Sequence, residues 1–313
     1  MIDVAKAATW AAVELGSDSF RLSVAGADGA GLRLLASIAE PVQLAAGLDE
    51  DGCLTPAVMR RALACLRTFR ARLEAASPVA VRAVATTALR VARNADVFLP
   101  AAAQALGHPV EVITPFDEGA LVYQGVASAL PATRERRLVL DLGTAATRLV
   151  LGCGGDVGRA ESSGAGVLRQ SLSFFPDGSI GASSFAAAVA SARARFADAA
   201  PLYHARHWDA AYGSSSVIRT VAGVIFDNAL GDGRLGACGL AALRARLVEA
   251  GAAQRLELTG LAPGQGTHLA GAVALLAGLV EELGIDELLP MQAGLRSGVL
   301  WDLQRRSCGA AMA

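Results

Sequence analysis

"LVLDLGTAATRLVLG", residues 138–152, decides how the rest of the chain is read. An apolar run closes on Asp141-Leu142-Gly143, passes through four small or hydroxyl residues, and re-enters an apolar run. That pattern is a strand, a tight turn and a second strand. A near-copy, "AAVELGSDSFRLSVAG", occupies residues 11–26. Glu14-Leu15-Gly16-Ser17 aligns with Asp141-Leu142-Gly143-Thr144, and without a gap Arg21-Leu22 falls on Arg148-Leu149, an offset of 127 residues throughout. Two acid-Leu-Gly-hydroxyl hairpins at domain spacing predict a duplicated fold with its cleft between the halves.

The remaining composition narrows the class. A chain of 313 residues accommodates two domains of ordinary size. Hydrophobic residues make up 53% but aromatics only 5%; much of the apolar content is alanine, a helix former rather than a membrane signal. The run "LAGAVALLAGLV" (269–280) is too short to span a bilayer and is closed by Glu281-Glu282, so it reads as a buried helix, with no membrane partner. Asp3 comes early, and no basic region followed by an apolar core opens the chain, which argues against a secretory signal. Five scattered cysteines without a C-x-x-C read as reduced thiols packed as small hydrophobes in a cytoplasmic protein, and the four histidines do not cluster for zinc. A net charge of −1 gives no global field for nucleic acid, so any phosphate affinity must be local. Lys6 is the only lysine. Arginine suits bidentate phosphate recognition, and a GC-rich genome produces the same bias.

Strands alternate with helices in both halves, which predicts α/β architecture with mixed sheets covered by helices. The spacing predicts a helix over 56–76, with Thr55 as N-cap and Pro56 at the first position, a buried strand leading into a loop over 79–90, a helix opened by Asn94, a strand over 110–115 and a helix over 117–130. "PATRERR" (131–137) combines proline with charge and separates an N-terminal domain, 1–131, from a C-terminal one, 132–313, with the last helical stretch (297–307) placed to pack back across the boundary.

The hairpins carry a chemistry of their own. Glycine permits close backbone approach, successive turn N–H groups converge on an anion, hydroxyls at Ser17, Ser19 and Thr144 add donors, and an acid at a strand end can hold a divalent cation. Singly, each hairpin equally describes an ordinary turn.

Five ordered segments resemble the exopolyphosphatase / guanosine pentaphosphate phosphohydrolase (Ppx/GppA) family in its short, two-domain form. "ELGSDSFRL" (14–22) is similar to the family's opening phosphate hairpin, and "VATTALRVARNADVFL" (84–99) to its Ala-Thr-Ser-Ala-Leu-Arg segment. "VITPFDEGALVYQGV" (112–126) resembles the element bearing the catalytic glutamate, "YGSSSVIRTVA" (212–222) the third phosphate loop, and "AGLRSGVLWDL" (293–303) the near-C-terminal signature. The resemblance implies two duplicated actin-like domains of the ribonuclease H-like, sugar kinase/Hsp70 superfamily. It implies a hydrolase that removes the terminal phosphate of polyphosphate or a guanosine polyphosphate by attack of water, with Mg²⁺ as cofactor, and a possible homodimer.

On that resemblance Glu118 is the water-activating base, and Asp141 and Glu14 hold the metal. Gly16, Ser17, Asp18, Ser19, Arg21, Arg90, Arg93, Gly143, Thr144, Ala145, Arg148, Gly213, Ser214 and Ser215 bind phosphate. Sequence position alone leaves another reading for Asp117 and Glu118, that they complement a helix N-terminus. Departures concentrate in the second hairpin. The family pattern reads Asp-x-Gly-Gly-Gly-Ser-Thr-Glu, whereas this chain has Ala145 and Ala146 after Thr144, and Arg148 in place of the acid. Two functions follow: a hydrolase with shifted preference, or a degenerate relative that binds a phosphorylated ligand as a regulatory module. A kinase-like ATPase is a third, disfavoured by "ATTALR" and "DEGALVY".

Overall fold

The computed structural model describes residues 8–29 and 31–310; the expectation resting on Asp3 and the first residues lies outside them. In chain order the elements are β1 (Thr9–Leu15), β2 (Ser19–Asp28), β3 (Gly31–Pro41), α1 (Pro56–Ala76), β4 (Ala80–Ala85), α2 (Thr87–Val91), α3 (Ala95–Leu106), β5 (Val110–Val112) and α4 (Pro115–Ser128). Then follow β6 (Arg136–Leu142), β7 (Thr147–Cys153), β8 (Asp156–Ser163), α5 (Val167–Phe174), α6 (Ala182–Phe196), α7 (Ala200–Tyr203), β9 (Ala210–Gly213), α8 (Ser216–Asp227), α9 (Ala237–Ala250), α10 (Gly266–Leu283), β10 (Leu288–Pro290) and α11 (Leu295–Ala310). The chain forms two compact units: one runs to Ser128 and resumes at Leu295, and the other is Ala129–Gly294.

The first unit holds a five-stranded sheet in the order β3-β2-β1-β4-β5. Central β1 pairs antiparallel with β2 and parallel with β4. Its alternation divides two apolar layers. Ala11, Val13 and Leu15 join Phe20, Leu66, Phe69 and Phe98, whereas Trp10 and Ala12 are covered by Val299, Leu300 and Leu303 of α11. A strand covered on both faces reads as a near-continuous apolar run.

Helix α1 buries Val58, Ala62, Leu66, Phe69 and Leu73, one face at helical spacing. Pro56 sets its start, and Ser77 ends it in the left-handed region, its N–H donating to Leu73 O. The Thr55 hydroxyl makes no cap bond. Asn94 does not cap α3 either. Its side chain instead accepts from Leu54 N (2.8 Å) and donates to Leu54 O (3.1 Å), pinning the loop before α1. Where a loop was expected after β4, the chain turns directly into α2.

The second unit repeats the plan. Its sheet order is β10-β9-β6-β7-β8, the same sequence of connections as in the first sheet. Central β6 pairs antiparallel with β7 and parallel with β9, and Leu138, Leu140 and Leu142 enter the larger core. Helix α10 is the one described helix long and apolar enough to cross a membrane, and 72% of it is buried inside the protein. The charge run before β6 is not simply solvated. Buried Arg137 donates to Glu135 Oε2 (2.8 Å), Gly154 O (3.0 Å) and Pro131 O (2.9 Å), knitting residues 131–137 to the β7–β8 turn. Among the cysteines, Cys53 and Cys65 are partly buried, but Cys153 and Cys238 are exposed, unlike packed hydrophobes.

Candidate active site

The first turn is built by close approach. A Cβ at Gly16 would stand 2.7 Å from Ser19 O, so only glycine lets the chain reverse there without displacing backbone. Ser17 O and Asp18 O accept from Ala45 N and Gln43 N, and the Ser17 hydroxyl accepts from Ala88 N (3.2 Å) at the start of α2. With its carbonyls engaged, the turn directs the Ser17 and Asp18 amides elsewhere; they have no acceptor among the described residues. Such successive amides form an anion-binding concavity. Asp18 is exposed, and Ser19 begins β2.

The same unit separates the two acids of α4. Asp117 is exposed and supports the cap: Thr114, before the first residue of α4, accepts the Asp117 N–H (3.1 Å) and donates its O–H to Asp117 Oδ2 (2.6 Å). Glu118 is only 2% exposed, and Arg90 Nη1 donates to its Oε2 (3.2 Å). Arg90 is itself fixed, donating to Ile113 O (2.9 Å) and Thr87 Oγ1 (3.0 Å). An unpaired buried carboxylate costs several kcal/mol, and the Arg90 guanidinium offsets that burial. Arg90, expected as a phosphate ligand, is thus bonded to Glu118 in the structure. Arg93 is exposed, and its backbone N–H donates to Gly52 O (3.0 Å).

In the second unit the turn after β6 follows the same pattern. Gly143 N donates to Ala146 O (2.9 Å), while Gly143 O and Thr144 O accept from Val167 N (3.1 Å) and Leu168 N (3.0 Å) at the start of α5. The Thr144 and Ala145 amides have no acceptor among the described residues. Gly166 lies against this turn so closely that an added Cβ would meet Thr144 O, Ala145 C and Ala145 Cα. Gly213 ends β9. Ser214 donates to Ala293 O (2.8 Å), and Ser215 caps α8 by accepting from Ile218 N (3.0 Å). The cap uses the Ser215 oxygen as acceptor and leaves its O–H to donate.

The two acids expected to hold a metal share one design. Glu14 stands opposite Arg21 in the β1–β2 register, and Asp141 opposite Arg148 in the β6–β7 register, at the 127-residue offset. Arg148 Nη1 donates to Asp141 Oδ2 at 2.6 Å. Arg296 Nε lies 3.8 Å from Glu14 Oε2, and burial lowers the basicity of that guanidinium. No group of three or more His, Cys, Asp or Glu that could hold a metal occurs among the described residues. These carboxylates already carry arginine partners, so as arranged they do not fit a metal held by the protein.

Sequence reading missed Arg296 and Gly166. The first lies inside the segment 293–303; the second has no local signal, because its constraint comes from the distant turn at Thr144 and Ala145.

Two mixed five-stranded sheets of one order, each opening on an acid-Leu-Gly turn, define a duplicated actin-like α/β protein. The sequence model of the Ppx/GppA phosphatase family matches residues 23–307, and the chain belongs to that family. It is 32% identical over 294 residues to proteins from Vibrio vulnificus (strain YJ016) and Vibrio campbellii (strain ATCC BAA-1116), each named guanosine-5'-triphosphate,3'-diphosphate pyrophosphatase. Those alignments cover 94% of this chain and 59% of each relative, so the chain spans about three-fifths of their length. Among solved structures, the Aquifex aeolicus Ppx/GppA family member superposes with a TM-score of 0.82 at 22% identity, covering 96% of this chain and 98% of that one. An exopolyphosphatase from Cytophaga hutchinsonii gives 0.82 at 21% identity, covering 94% and 97%. These likenesses establish the shared fold.

Proposed function

We propose that this chain hydrolyses the terminal phosphoanhydride of inorganic polyphosphate or a guanosine polyphosphate, with Glu118 as general base. The observation that carries the proposal is a buried carboxylate on the first turn of α4, held in one orientation by Arg90, in a member of a phosphatase family. Glu118 takes a proton from water as the water oxygen bonds to the terminal phosphorus. The bridging P–O bond breaks, and its electron pair leaves on the shortened chain. Such a transfer asks mainly for positioning and charge neutralisation. In the unit that carries Glu118, the turn amides at Ser17 and Asp18 are suited to that task.

The test is phosphate release from long-chain polyphosphate, guanosine pentaphosphate and ATP by the protein and by Glu118→Gln. Removing a general base lowers turnover by about 10²–10⁴-fold, with a retained cooperative melting transition as the folding control. Undiminished turnover in Glu118→Gln rejects the assignment. A second reading, a phosphate-binding regulatory module, is favoured by one observation: Asp141 is closed by Arg148. Ligand-dependent thermal stabilisation without release from any substrate selects it. Preferential release from ATP selects a kinase-like ATPase instead.

A further inference from the structure

We propose that the outer face of α1 is a docking track for the distal part of an inorganic polyphosphate chain. The inference rests on reading the protein as a phosphoanhydride hydrolase, and it selects polyphosphate over a guanosine polyphosphate as the substrate.

Three observations converge. The first is charge. Arg60, Arg61, Arg67, Arg70 and Arg72 are all exposed, Glu74 is the helix's only acid, and the whole chain carries a net −1. Glu74 sits towards the far end of the helix, where it pairs with Arg70 (2.8 Å). The second is geometry. Val58, Ala62, Leu66, Phe69 and Leu73 face the core. At about 3.6 residues per turn, Arg60 and Arg67 fall on the opposite, solvent side, and Arg61 and Arg72 share one flank. From Arg60 to Arg72 the helix rises about 18 Å. A guanidinium matches phosphate oxygens, and a row of them that long matches a linear polyanion rather than the short phosphate groups of a nucleotide. The third is place. Arg61 Nε donates to Val42 O (2.8 Å), and the next residue, Gln43, donates its N–H to Asp18 O in the first turn. The basic face therefore starts beside the Ser17–Asp18 amides, in the unit that carries Glu118. A chain whose terminal phosphate occupies that turn lays its following phosphates along α1.

The experiment is calorimetric titration of long-chain polyphosphate and of inorganic triphosphate into the full chain, at about 50 and 200 mM salt. Glu118→Gln, which spares the ligand from hydrolysis, is compared with the same protein carrying Arg60→Gln, Arg67→Gln and Arg72→Gln. Arg61 is left intact because it anchors Val42. Each phosphate contact releases a counterion and adds about 0.7 to the slope of log K against log salt, so the triple substitution should flatten that slope by about 2. Long-chain affinity at about 50 mM salt should fall at least tenfold, with triphosphate affinity unchanged. With Glu118 restored, KM for long-chain polyphosphate should rise by a similar factor at constant kcat. Unchanged long-chain affinity, or an equal loss for triphosphate, overturns the proposal. So does single-stranded RNA binding as tightly as polyphosphate of matched charge, which marks a generic anion surface. Loss of long-chain binding in a protein that releases no phosphate supports the track while rejecting the hydrolase reading. Should the triple variant fail to fold, each single substitution carries the same test with a slope change of about 0.7.

Discussion

Replacing Gly166 by alanine isolates one mechanical link. Its backbone is extended (φ −113°, ψ 160°), so alanine adopts it without strain and the effect is steric. The new methyl would lie 2.6 Å from Ala145 Cα, and it would also meet Thr144 O and Ala145 C. Ordinary contact begins at 3.4 Å, so the turn must retreat by more than about 0.8 Å; its atoms are backbone and cannot swing aside. Overpacking of this kind costs about 1–3 kcal/mol, which for a unit of this size lowers Tm by about 2–12 °C. A displaced Thr144 or Ala145 amide forfeits one charge-assisted bond, about 1.5–3 kcal/mol, or about 10- to 100-fold in anion affinity. Differential scanning fluorimetry and titration of triphosphate read both quantities. Gly155→Ala, whose Cβ meets nothing within 4 Å, is the control and should change neither. A Gly166→Ala protein with wild-type Tm and affinity would refute the reasoning. A lowered Tm with unchanged affinity would detach the turn from anion binding.

Ser215→Ala should cost about 1 kcal/mol through loss of the bond from Ile218 N, seen as a shift of about 2–4 °C in Tm. If the Ser215 O–H also serves the ligand, triphosphate affinity falls as well. Cys65 should resist alkylation at pH 8 while exposed Cys153 and Cys238 react, as mapped by mass spectrometry. Burial, aided by the Glu40 charge, pushes the Cys65 thiol up to about 12 from an ordinary 9.0. A raised folded value means the contribution to stability is full below pH 9.0 and is lost as pH rises through about 12. Cys65→Ser should therefore flatten alkaline unfolding between those values.

The duplicated hairpin was legible because its signal is local: glycine, an acid and two apolar runs at fixed spacing fold the same way twice. Helix α1 was legible for the same reason, its five buried positions falling on one face. What escaped was set by distant partners. Asn94 looks like a cap in sequence, yet Leu54, forty residues earlier, claims both ends of its amide. The run 110–115 reads as a strand, but only Val110–Val112 pair, because Pro115 opens α4. At the site, sequence brought Asp117 and Glu118 forward together, and only burial tells the exposed acid bonded to Thr114 from the enclosed one. For Arg90 the sequence shows a charge but not that Glu118 is its neighbour.

The unit that begins at β1 is discontinuous in the chain: it pauses at Ser128 and resumes at Leu295. Trp10 and Ala12 need Val299, Leu300 and Leu303 to cover them, and the Trp10 indole donates to Ser307 (3.2 Å). On a ribosome the second unit, contiguous from Ala129 to Gly294, can therefore complete before the first, although it is made later. Nascent chains would carry one open face of β1 until α11 emerges, exposed to chaperones and proteases. Release of the last helix closes it.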